Sequence, residues 1–145
     1  DIRLSLVGSE MCIRDSTDTG KWGGIIILGQ ATVGEDGGED DIEGIICIAY
    51  TNDVPHSVKE LDMMSELVHM KKEKPTIAIA YTVWSRKRGA GREIIQKVLS
   101  HAKEQGIERV ITLSPLTPMA THFHIRNGAK QISINDTSQN FEYEL

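Results

Sequence analysis

The chain has 145 residues, 39% hydrophobic and 26% charged, with a net charge of −5 and a mean hydropathy of −0.25. That size fits a single domain. No apolar run approaches the ~18 residues of a membrane span. The acidic balance argues against bulk affinity for nucleic acid. Two cysteines, Cys12 and Cys47, give neither a disulfide framework nor a metal spacing, so a reducing, cytoplasmic setting is expected.

The first stretch has no helical period, no strand alternation and no turn chemistry. "LVGSEMCIRDS", Leu6 to Ser16, resembles the translation of a transposon-end sequencing adapter. Residues 1–16 are therefore expected to be a non-native segment without a structural part. Residues 17–145 are expected to form the domain, with its first strand and helices missing. Only Cys47 then remains, expected as a free thiol packed in the core.

"GGIIILGQATV" (Gly23 to Val33) predicts a buried strand, branched, apolar and bounded by glycine. "GEDGGEDD" (Gly34 to Asp41) reads as a solvated hairpin loop. Asp36, Asp40 and Asp41 there lack the stricter spacing of a calcium loop. Ile42 to Asp53 predicts a second strand, antiparallel to the first. Ser57 with Glu60 forms a capping box, opening a helix that runs to about Lys72. Leu61, Met64 and Val68 lie on one face, with Met63, Leu67 and Met70 alongside. Lys71 to Lys74 suit the helix C-terminus.

"TIAIAYTVW" (Thr76 to Trp84) is small and apolar on both faces, as a central strand covered on both sides should be. "SRKRGAGR" follows, then a helix with Ile94, Ile95, Val98, Leu99 and Ala102 on one face. Gly106 is a natural stop. Ile107 to Leu113 predicts the next strand, which makes a right-handed βαβ unit with parallel strands. Thr117 and Pro118 open a further helix, with Met119 packing on Phe123. Ile132 and Ile134, then Phe141, Tyr143 and Leu145, alternate with polar residues around a turn, so a closing hairpin is expected.

The chemistry sits in "YTVWSRKRGAGREII". A strand enters a loop with Gly89 and Gly91, and the loop opens a helix. Successive backbone N–H groups and the helix dipole then favour an anion. Arg86, Lys87, Arg88 and Arg92 add four cations. Neither the Walker pattern nor the dinucleotide fingerprint is present.

The spacing Arg86-x-x-Gly89-x-Gly91, between a strand and a helix, resembles the [QR]-x-x-G-x-[GA] motif of the GNAT-superfamily N-acetyltransferases. "MATHFHIRNGA" (Met119 to Ala129) stands where that family has its C-terminal signature. The chain looks closest to small members of the kind found in phage and marine genomes. The resemblance implies an α/β (α+β) fold. Its sheet is mixed and mostly antiparallel, with a central βαβ unit splayed to hold acyl-CoA. It implies acetyl-CoA as co-substrate, without a metal, and an amine acceptor attacked directly. The pyrophosphate would lie on the Arg88 to Arg92 backbone amides, with Arg86, Lys87, Arg88, Gly89, Ala90, Gly91 and Arg92 as the cofactor-binding residues of this loop and helix start. The pantetheine arm would pair along Tyr81, Thr82 and Val83, with an N–H near Val83 polarising the thioester carbonyl.

The family's acid is often a tyrosine four residues before the signature glycine. That position holds His124 here, so His124 is the catalytic candidate. Glu43, Asp53 and His56 are candidates for a base, with a water chain as the alternative. A CoA-binding module without turnover is the second reading. Neither a membrane nor nucleic acid is expected as a partner, and a homodimer is left open.

Overall fold

The structure, a computed structural model, describes residues 2–5, 23–29, 42–85 and 89–145. In chain order the elements are β1 (Ile2–Ser5), β2 (Gly23–Gly29), β3 (Ile42–Thr51), α1 (Val58–Lys71), β4 (Ile77–Ser85) and α2 (Ala90–Glu104). Then come β5 (Arg109–Thr112), β6 (Ser114–Pro115), α3 (Pro118–Arg126), β7 (Lys130–Ile134) and β8 (Ser138–Tyr143). The acidic loop with Asp36, Asp40 and Asp41 lies outside the described residues.

The strands form one mixed sheet in the order β2-β3-β4-β5-β8-β6, with β1 on β4 and β7 on β8. Among the described residues only β4 and β5 run parallel; every other described pair is antiparallel. The expected β2–β3 hairpin, the βαβ unit through α2 and the closing β7–β8 hairpin are all present. The fold class is the one expected, a mixed, mostly antiparallel sheet with helices.

Two apolar layers flank the sheet. On one face, Ile94, Ile95, Val98 and Ala102 of α2 join Ile46, Ile48, Ala78, Ala80 and Val83, with Phe123 of α3 and Phe141 of β8. On the other, Leu61 of α1 packs among Cys47, Ala49, Ile77, Ile79, Tyr81, Ile111 and Leu113. The caps follow the sequence. Ser57 Oγ accepts from Glu60 N at 3.1 Å, and Glu60 Oε1 accepts from His56 N at 3.3 Å. Thr117 Oγ1 accepts from Ala120 N at 3.1 Å. Gly106 takes a left-handed φ of 75°, and Ile107 N closes back on Ala102 O at 2.9 Å.

Several expectations fail for long-range reasons. α1 meets the sheet along a narrow line, Leu61, Ser65 and Val68, so Met63, Leu67 and Met70 stay exposed. Met119 is likewise exposed and does not share the burial of Phe123. Ile132 and Ile134 are exposed, 42% and 69%, because β7 pairs with β8 alone and its register shifts between Gln131 and Ser133. Cys47 is fully buried, as expected, but it is disulfide-bonded rather than a free thiol. Residues 2–5, within the stretch expected to be non-native, form β1 against β4.

Candidate active site

The site is built by two strands that part. β4 and β5 pair in parallel from Ile77↔Arg109 to Ala80↔Thr112, and the last bond runs from Leu113 N to Ala80 O at 2.9 Å. Beyond it β5 turns away. Ser114 and Pro115 of β6 pair with Gln139 and Ser138 of β8.

β4 changes phase at the same place. On the β3 side, Cys47 pairs with Thr82 but Ile48 pairs with Ala80, which leaves Tyr81 as a bulged residue. Before the bulge, Ala78 and Ala80 face α2 while Ile77, Ile79 and Tyr81 face α1. After it, Val83 faces α2 although regular alternation from Tyr81 would put it on the α1 side. The bulge thus re-aims β4 where β5 leaves it.

Of the expected cofactor residues, Tyr81, Thr82 and Val83 are buried in this stretch. Their outer edge is not free. β1 lies antiparallel there, from Ser5↔Thr82 to Ile2↔Ser85, and approaches β6 on its other side. β1 therefore stands in the gap where the strands part.

Gly89 opens α2 with a left-handed φ of 86° and no side-chain cap. A Cβ there would meet no atom within 4 Å. Glu93 N makes a helical bond to Gly89 O at 3.2 Å. The N–H groups of Ala90, Gly91 and Arg92 precede it and have no partner within the helix. Ala90 and Gly91 are buried against the sheet and Arg92 is exposed. These residues suit an anionic group such as a pyrophosphate. Arg86, Lys87 and Arg88 lie outside the described residues.

His124 sits elsewhere in the site's surroundings. It is 1% exposed on α3, edge-on to Phe123 and tilted against Phe141, with Nδ1 2.7 Å from Tyr143 Oη. Burial lowers its pKa from 6.5 to about 4, so it is a neutral imidazole at pH 7. Burial also raises the Tyr143 hydroxyl above its ordinary value. Asp53 and His56 are exposed on the β3–α1 loop. The side chain of Glu43 is not among those described. Among the described residues no cluster of three His, Cys, Asp or Glu could hold a metal. No described helix is long and apolar enough to cross a membrane.

Two features escaped the sequence reading. Asn140, fully buried, donates from Nδ2 to Pro55 O and Thr112 O, both at 2.9 Å. Thr112 Oγ1 in turn accepts from Phe141 N at 3.1 Å and from Ser114 Oγ at 2.8 Å. This knot ties the β3–α1 loop to the end of β5, where the strands part. In the sequence Asn140 stands directly after the polar turn, with nothing to mark it as buried. The second is the side chain of Tyr81. It is 2% exposed, and its hydroxyl is the one buried side-chain polar atom without a hydrogen-bond partner among the described residues. A tyrosine in a run of otherwise small and aliphatic residues was the available signal.

A mixed sheet whose central parallel strands part beside an uncapped helix start is the architecture of the GNAT acetyltransferases, and this chain has that fold. No protein-family model and no curated protein matches the chain. Solved structures that share the fold include Arabidopsis thaliana NAA60 in complex with a bisubstrate analogue. Its TM-score is 0.58 at 17% identity, over 94% of this chain and 82% of that chain. The ribosomal-protein-alanine N-acetyltransferase from Brucella melitensis follows at 0.55 and 10% identity, over 97% and 81%. Malonyl-CoA decarboxylase from Agrobacterium vitis aligns at 0.59 and 13% identity, over 94% of this chain and 64% of its own. At these identities the likeness is one of fold.

Proposed function

We propose that the chain is a cytoplasmic N-acetyltransferase that moves an acetyl group from acetyl-CoA to an amine by direct attack. The observation that carries this reading is the uncapped start of α2 at Gly89, placed beside the divergence of β4 and β5. The helix start offers N–H groups to a pyrophosphate, with Arg86, Lys87, Arg88 and Arg92 supplying charge. The β4 edge at Tyr81, Thr82 and Val83 offers backbone groups to an amide-bearing arm. An N–H near Val83 would meet the developing oxyanion. For this to happen β1 must leave the gap. The fold neighbours support the reading, since the Brucella melitensis protein is named as an N-acetyltransferase, the Agrobacterium vitis one as a malonyl-CoA decarboxylase, and NAA60 holds a bisubstrate analogue.

His124 would serve as a neutral imidazole paired with Tyr143, not as an imidazolium acid. That observation also favours the second reading, a CoA-binding GNAT fold without turnover. We take residues 1–16 as non-native on their match to adapter sequence, and residues 17–145 as the acetyltransferase-like domain. Calorimetry with acetyl-CoA, coenzyme A and an oligonucleotide tests ligand class, and thiol release with a panel of amines tests turnover. Binding of the oligonucleotide alone would sink both CoA readings. Binding of acetyl-CoA without thiol release for any amine would leave only the second.

A further inference from the structure

A buried hydroxyl with no partner is disfavoured, and a phenylalanine would fill the same space without that penalty. Tyr81 is such a group. It lies at the bulge, one residue beyond Ala80, the last β4 residue paired with β5. The bulge holds its side chain on the α1 face, whereas α2, whose start suits the pyrophosphate, packs on the other face. Two partners meeting in the gap would therefore approach from opposite faces. Tyr81 is on the side left to the acceptor.

The surroundings select what that acceptor presents. Tyr81 clusters with the apolar side chains of Leu61, Cys47, Ile79, Ile111 and Leu113. An ammonium set among these apolar side chains loses its hydration and gains no counter-charge from them, so the neutral amine is favoured. The neutral amine is the nucleophile. A hydroxyl both donates and accepts, so it can take an N–H and leave the nitrogen lone pair free.

We propose that the Tyr81 hydroxyl is the acceptor-binding group, accepting an N–H of a primary amine on an uncharged neck and aiming its lone pair at the acyl carbon. The inference rests on the acetyltransferase reading. In the reaction the C–N bond forms and the C–S bond breaks. One amine proton ends on the CoA sulfur.

The test uses the full chain, acetyl-CoA, and hydroxylamine as a small surrogate amine. Thiol release above the uncatalysed rate is followed for the wild type and for Tyr81→Phe, alongside calorimetry with acetyl-CoA and thermal melting. The expected result is a folded variant with equal or higher Tm. Its acetyl-CoA Kd stays within twofold, and its hydroxylamine-dependent rate falls at least tenfold. An unchanged rate overturns the proposal. So does a parallel loss of acetyl-CoA affinity, which would place Tyr81 on the cofactor side. Wild-type binding of acetyl-CoA without thiol release overturns the proposal and leaves CoA binding standing. Failure of the wild type to bind acetyl-CoA overturns the reading beneath it, and the proposal with it.

Discussion

His124 is the buried base of this molecule, and its protonation opposes folding. Its pKa in the fold is about 4, against 6.5 when unfolded, because burial penalises the charged ring. Between those values the unfolded chain binds the extra proton. Stability from this group is therefore present above pH 6.5 and is lost as pH falls through about 4. The full effect is about 3 kcal/mol. His124→Gln should flatten the acid side of the Tm-against-pH curve relative to wild type. A parallel slope in both proteins would rule out this role. At the other extreme of exposure, Arg109 Nε and Nη2 donate to the two Glu142 oxygens, each at 2.8 Å. The hydrogen bond from Arg109 holds the Glu142 carboxyl below its ordinary range. With 44% and 28% of the two side chains exposed, solvent screens most of that attraction. A double-mutant cycle with Arg109→Met and Glu142→Gln should give a coupling of about 0.5–1 kcal/mol, smaller in high salt and absent once acid has protonated Glu142.

The helices begin where side chains or backbone geometry satisfy their first turn. Ser57 Oγ holds Glu60 N at the start of α1, so Ser57→Ala should cost about 1 kcal/mol in chemical denaturation. Ser57→Asp should recover most of it, since a carboxylate oxygen can accept the same bond. α2 begins differently, on a glycine in the left-handed region with open space around it. A substitution at Gly89 therefore strains the backbone rather than clashing. Gly89→Val should destabilise by about 1–2 kcal/mol and weaken acetyl-CoA binding strongly. Gly89→Asn, which tolerates that φ better, should lose less on both counts. Equal acetyl-CoA affinity in Gly89→Val and wild type would separate α2 from the phosphate site.

At the scale of the whole molecule, the gap between β4 and β6 is filled by the chain's own β1. An extended segment paired along Thr82 to Ser85 and a pantetheine arm on the same edge exclude each other. Successive N–H groups of a strand point to opposite edges, so one of Arg3 and Leu4 donates toward β4. Proline at both positions removes that donor whatever the phase. The Arg3→Pro, Leu4→Pro double variant should bind acetyl-CoA more tightly than wild type by calorimetry. Unchanged affinity would mean that β1 does not compete for the site.

Much was legible in the sequence because it depends on neighbours along the chain. The Ser57 and Thr117 caps, the glycine that ends α2, the βαβ unit and both hairpins follow from local backbone preferences and from periods of 3.6 and 2. The loop that opens α2 was legible for the same reason. What the tertiary structure decided is which side of each element is covered. The bulge at Tyr81 exists only because β3 and β4 pair out of step, and it sets the phase of Val83 beside the orphan hydroxyl. His124 is neutral because α3 lays it against Phe141 and Tyr143 of β8. Ile132 and Ile134 obey the alternation of a strand yet stay exposed, because no layer covers that edge. Period fixes which residues share a face; only long-range pairing decides whether that face meets the core, solvent or a ligand.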